Sequence, residues 1–212
     1  MDLDTAYLDS AMPEPVVLLH QNLKPYSLGH DMLLRRHRSP FVTLERMPEI
    51  EDLYMAVYLC ACDFEEAQRE LSLPGNVFAQ RMADWQAIVV RENKGPLRES
   101  QVLELVLDFQ KYVRDGSQSP KFNPIGNGNP RRKPGAPLLA LMLRTLTREY
   151  HFTKSEALNL PFGWAMWLYL THSEQEQRVR LVTQQDEDSD ALIRAEMKKR
   201  GWEPMRIVRE GG

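Results

Sequence analysis

Residues 158–170, LNLPFGWAMWLYL, form the densest apolar run in the chain and carry two of its four tryptophans, Trp164 and Trp167. A helix drawn from Phe162 to Leu170 is apolar on almost every side once Gly163 is set apart. No side of such a helix suits water, so it is either enclosed by other helices or turned to a partner. Polarity then changes abruptly at Thr171-His172-Ser173-Glu174-Gln175-Glu176. The run falls short of the roughly 20 residues of a membrane span and has Pro161 and Gly163 near its start, so it does not read as one. The rest of the chain must supply its cover.

That cover reads as more helix. Ser27 is placed to cap a helix through Arg38, with Leu28, Met32 and Leu33 facing inward. Pro48 suits a helix start, after which Ile50, Leu53, Tyr54, Val57 and Ala61 follow helical spacing. Asp63 either caps a separate helix, FEEAQREL, or lies inside a continuous one. Phe78, Met82, Trp85 and Val89 make a third stripe. Val102, Val106, Phe109 and Val113 make a fourth, widened by Leu103 and Leu107 and closed by Gly116 past the helix end. After a Pro-, Gly- and Asn-rich stretch, Pro137 opens a helix with Leu139, Met142, Leu143 and Leu146 inside. Thr153-Lys154-Ser155-Glu156 has the form of a capping box. A last helix starts in Asp186-Glu187-Asp188-Ser189-Asp190 and ends in Lys198-Lys199-Arg200, charges that suit the helix dipole.

The expected fold is therefore all-α, an irregular bundle of about seven to nine helices with one long Pro/Gly/Asn-rich loop and one or two very short strands. Val16-Val17-Leu18-Leu19 is one candidate strand and Met205 to Val208 the other. The organisation expected is an extended lead-in over 1–26, an N-terminal helical part over 27–116 and a flexible basic loop over 117–136. A C-terminal helical part over 137–200 and a tail over 201–212 complete it. Leu71-Ser72-Leu73-Pro74 and Leu158-Asn159-Leu160-Pro161 echo one another, each between a short charged helix and a tryptophan-bearing one.

Composition narrows function mainly by exclusion. A net charge of -3 argues against a whole-surface affinity for nucleic acid or anionic membrane. The opening MDLDTAYLDSAMPEP lacks a basic region and an apolar core, so it does not read as a secretory signal. With only Cys60 and Cys62, a reducing, cytoplasmic setting fits best. Two residues apart on a helix, they point to nearly opposite sides and cannot share a metal. His30 and His37 lie two turns apart, beyond ordinary helical chelation. No G-x-S-x-G elbow occurs, and Gly126-Asn127-Gly128 before Arg131-Arg132-Lys133 lacks the G-K-[ST] ending of a phosphate loop. The break at Pro161 imitates a helix-turn-helix, but the second helix offers no polar side chain in its first turns to touch bases or phosphates. No catalytic, cofactor-binding or metal-binding residue is assigned, no cofactor is expected, and the chain reads as a non-enzyme.

Segment 153–168 then carries a resemblance. Thr153, Glu156, Ala157, Leu158, Leu160, Pro161, Ala165 and Leu168 fit T-x-x-E-(A/V)-L-x-(M/L)-P-x-x-x-A-x-x-L, followed by a polar, acidic C-terminal region. In this it resembles the tail assembly chaperone group of phage and prophage tail gene clusters. Leu23-Lys24-Pro25-Tyr26-Ser27-Leu28-Gly29-His30, with Ser39-Pro40-Phe41 after it, is similar to the opening of other proteins of such clusters. The resemblance implies a non-enzymatic, cytoplasmic helper that holds a helical or apolar surface of a tape-measure or tail-tube protein until assembly. Phe162, Trp164, Met166, Trp167 and Tyr169 are the expected partner-binding residues, with homo-oligomerisation left open. The alternative is a nucleic-acid-associated accessory or regulatory protein using Arg35, Arg36, Arg38, Arg131, Arg132 and Lys133.

Overall fold

The computed structural model describes residues 3–125 and 136–199. Over them the chain runs α1 (Leu3–Ala11), β1 (Val16–Leu18), β2 (Gln21–Leu23), α2 (Leu28–Arg36), α3 (Pro40–Thr43), α4 (Ile50–Cys60), α5 (Phe64–Leu71), α6 (Gly75–Glu92) and α7 (Glu99–Gly116). It continues with β3 (Phe122–Pro124), α8 (Leu138–Arg148), α9 (Lys154–Asn159), α10 (Phe162–Gln175), β4 (Val179–Leu181) and α11 (Gln184–Lys199). The class is all-α, with two small two-stranded antiparallel sheets, β1–β2 and β3–β4, among the described residues.

Most of the apolar run forms α10, against which α1, α2, α8 and β4 pack. One apolar core includes Leu28 of α2, Leu53, Val57 and Cys60 of α4, Phe109 of α7, Met142 and Leu146 of α8, and Ala165 and Leu170 of α10. The halves expected on either side of a linker therefore contribute to a single core. Burial of this kind is the main favourable term in folding, about 25 cal/mol per Å² of apolar surface removed from water.

Several expectations need correction. The lead-in over 1–26 is not merely extended: it holds α1 and the β1–β2 hairpin, registered Val16↔Leu23 and Leu18↔Gln21. Its two-residue turn has φ 49° at Leu19 and 62° at His20, the positive values that a primed hairpin loop demands. Neither Gly nor Asn stands there to signal it. The loop expected over 117–136 is partly strand, because Phe122–Pro124 pairs with Val179–Leu181 in the register Phe122↔Leu181 and Asn123↔Arg180. Arg131, Arg132 and Lys133 lie outside the described residues, as does the strand expected at Met205 to Val208.

On α7, Leu103 and Leu107 do not widen the buried stripe; each is 54% exposed, while Val106, Phe109 and Val113 face the core. Gly116 is the last helical residue and not a left-handed closing residue. It leaves room: a Cβ there would come within 2.6 Å of Tyr26 Cβ. FEEAQREL is a separate helix, α5, preceded by Asp63 in extended conformation.

Candidate binding site

Two prolines prepare the ground for α10. Pro161, locked at φ -50°, is extended at ψ 131° and serves as the N-cap position. Pro25 precedes a second extended stretch, Tyr26-Ser27, that leads into α2. The two stretches pair antiparallel through a bridge between Ser27 and Pro161. Phe162 N–H donates to the Tyr26 carbonyl at 2.7 Å, and Leu28 N–H donates to the Leu160 carbonyl at 3.2 Å. The starts of α2 and α10 are thus fixed to each other across the core.

A buried polar cluster secures this junction. Ser27 Oγ accepts the His30 N–H at 3.2 Å, and His30 Nδ1 accepts the Ser27 N–H at 3.2 Å, a capping box in which histidine stands where Glu is usual. With Nδ1 accepting, the proton is on Nε2, which donates to the Cys62 carbonyl at 2.8 Å. Burial holds the His30 pKa below its ordinary value, so the ring is neutral at pH 7. Tyr26 Oη donates to Asp31 Oδ1 at 2.9 Å, and Arg35 Nε donates to Asp31 Oδ2 at 2.6 Å. Tyr112 Oη donates to the Lys24 carbonyl at 2.7 Å, with its ring edge-on to Tyr26. Burial raises the hydroxyls of both tyrosines. It also pushes the Cys60 thiol up to about 12 and the Cys62 thiol to about 11, so neither supplies thiolate at neutral pH. These groups position helices.

Of the five residues expected to meet a partner, three are in the core. Phe162, Met166 and Trp167 are buried. Phe162 lies against the Tyr26 ring at 6.1 Å, and Trp167 receives the edge of Tyr7 from α1 at 5.8 Å. The reason for the correction is the enclosure itself: a helix apolar all round finds cover within its own chain. Trp164 and Tyr169 alone among the five stay half-buried. Trp164 donates its Nε1–H to Tyr7 Oη at 3.0 Å and stands 6.5 Å from the Phe152 ring.

Tyr169 opens onto a cleft of about 240 Å³ between α8 and the end of α10, where Arg144, Arg148, His172 and Arg178 also line the wall. Its acids offset much of that charge: Glu149 pairs with Arg148 at 3.5 Å, and Glu176 pairs with Arg178 and, at 3.6 Å, with His172. Exposed pairs like these contribute about 0–1 kcal/mol each. The basic cluster foreseen on α2 is also partly committed, since Arg35 is bound to buried Asp31, leaving Arg36 and Arg38 exposed on one end of that helix.

Tyr7, Ser10 and the arginines of α8 were not singled out by sequence reasoning. Arg144 and Arg148 are one turn apart and so share a helix side, a spacing visible in the sequence. Tyr7 sends no comparable signal, because its partners lie in α10, at the other end of the sequence. Comparison with family models, with curated proteins and with solved structures finds no match for this chain.

Proposed function

We propose that this chain is a non-enzymatic helical assembly protein. It binds a tail structural protein of a phage or prophage, such as the tape measure or the tail tube, in the host cytoplasm and holds its helical or apolar surface until assembly. The observation that carries the reading is the Ser27–Pro161 junction. The two segments on which the resemblance rests, 23–30 and 153–168, are far apart in sequence yet form one bonded unit, so the resemblance attaches to a single three-dimensional feature. Half-buried Trp164 and Tyr169 on α10 supply the aromatic anchors that protein interfaces favour. Buried Phe162, Met166 and Trp167 keep the helix carrying them rigid.

Co-expression of the chain with a tape-measure or tail-tube protein tests the reading. Capture of that protein on the tagged chain is the expected result, reduced at least tenfold by Trp164→Ala combined with Tyr169→Ala while helicity is retained. Absence of capture of either tail protein contradicts it.

A further inference from the structure

Where α2 ends, the chain turns back sharply. Arg38 takes φ 51°, its N–H donates to the Arg35 carbonyl at 3.0 Å, and the Ser39 N–H reaches the Leu34 carbonyl at 2.8 Å. A left-handed close of this kind usually falls to glycine. Here it sets His37 and Ser39 across from α4, where Glu51, Met55 and Leu59 follow at four-residue intervals and so share one side. With Leu34 these residues line a cavity of about 250 Å³. Asp52 completes the lining, and Arg46 engages it through both carboxylate oxygens at 2.6 Å.

The other polar groups of the wall are left over from folding. Ser39 is buried and precedes α3 without capping it; its Oγ is closed to solvent and has no hydrogen-bond partner among the described residues. A buried hydroxyl left in this state costs about 1–3 kcal/mol. The His37 ring and the Glu51 carboxylate likewise make no hydrogen bond or ion pair among the described residues. Burial and the neighbouring Arg36 hold the His37 pKa below its ordinary value, so the ring is neutral at pH 7. A hydroxyl oxygen, a neutral imidazole nitrogen and a carboxylate all accept hydrogen bonds. Among the described residues no lysine or arginine lines the cavity to answer them, and Leu34, Met55 and Leu59 make its remaining surface apolar. What complements such a wall is a cation with several N–H donors on an apolar stem.

We propose that this cavity between the end of α2 and α4 is a binding site for a primary alkylammonium group, either a free amine or the side chain of a lysine. An ammonium has three donors and no acceptor. Its charge meets Glu51, its remaining donors meet His37 and Ser39, and its stem lies along Leu34, Met55 and Leu59. The Ser39 hydroxyl turns about χ1 to meet it, exchanging an unbonded position for a bonded one. The site is separate from α10 and does not depend on the assembly reading.

Titration of n-hexylammonium chloride into the full-length chain, followed by methyl NMR, tests the site. Saturable shifts are expected at the methyl groups of Leu34, Met55 and Leu59, with hexanol binding about tenfold more weakly for want of the charge. Glu51→Gln, at an exposed position, should weaken hexylammonium by about tenfold as well. Ser39→Ala should also weaken it, while leaving the thermal midpoint unchanged or higher, because no bond within the folded chain is lost. Nα-acetyl-lysine amide, titrated in parallel, identifies the source. Saturable binding there assigns the site to a lysine of another protein, and binding of hexylammonium alone assigns it to a free amine; both results uphold the ammonium chemistry. Equal binding of hexylammonium and hexanol overturns the proposal, because the cavity then accepts any apolar stem. Shifts at these methyls that do not saturate, or Glu51→Gln binding as tightly as wild type, overturn it too. So does a lowered midpoint for Ser39→Ala with undiminished binding, since the serine then serves the fold through a bound water.

Discussion

Asp31 is the residue on which the start of α2 turns. Its carboxylate is buried, and its two oxygens are taken by Tyr26 Oη and Arg35 Nε. Removing the cation leaves a buried carboxylate with one neutral donor, so Arg35→Gln should destabilise the fold by about 2 kcal/mol in chemical denaturation. Arg36→Gln and Arg38→Gln, at exposed positions, should stay within about 0.5 kcal/mol of wild type. His30 adds a pH dependence whose sign follows from its environment. Burial lowers its folded pKa below the ordinary 6.5, so the folded state resists protonation. Its contribution is complete above pH 6.5 and is lost as pH falls from there towards the folded value. The lowered carboxylates, Asp52 and Glu156 among them, act only below about pH 4.5. His37 shifts in the same direction but is much less buried. Denaturation midpoints between pH 7 and 5 should therefore fall for wild type and for His37→Gln, and fall less for His30→Gln, whose amide can still accept from Ser27 and donate to Cys62. An equal slope in all three would remove the role given to His30.

At the scale of elements, two glycines mark where a helix meets a close neighbour. Gly116→Ala drives a methyl into Tyr26, which is fully enclosed and cannot yield, and Gly163→Ala drives one to 2.8 Å from the Gln118 carbonyl. Each should cost about 1–3 kcal/mol. Gly75→Ala, in the first turn of α6 with open space around it, should instead stabilise by about 0.5–1 kcal/mol. Thermal melts of the three variants read both signs at once. The long stripes of α4 and α6 were legible in the sequence because a 3.6-residue period marks a helix face directly. The capping box at Thr153 was legible because it is local: Thr153 Oγ1 accepts the Glu156 N–H at 3.2 Å, as the spacing requires. Periodicity told less about Leu103 and Leu107. It says that a face is apolar, not that anything packs on it. Nor could it reveal β3–β4, whose strands find each other across α8, α9 and α10, or a primed turn built from Leu19 and His20 without glycine.

At the scale of the whole molecule, α10 packs on α1, α2, α8 and β4, and α2 links it to α3, α4, α5 and α9. Composition identified a helix that tolerates no water, but which of its residues remain reachable depends on neighbours from α1, α2 and α8, distant in sequence. The Ser27–Pro161 junction is the clearest case, since nothing local to either segment announces the other. The enclosure separates two tryptophans that look alike in sequence. Trp167→Ala empties a core site and should cost about 3–5 kcal/mol. Trp164, half-buried, should cost clearly less when truncated and should matter more for binding. The central claim is that α10 supports the fold with its buried side and meets a partner through its half-buried aromatics. Its most direct test is tail-protein capture by the Trp164→Ala/Tyr169→Ala chain, measured beside its thermal melt. The account predicts at least a tenfold loss of capture with the cooperative melt preserved. Undiminished capture by that folded double variant would contradict it.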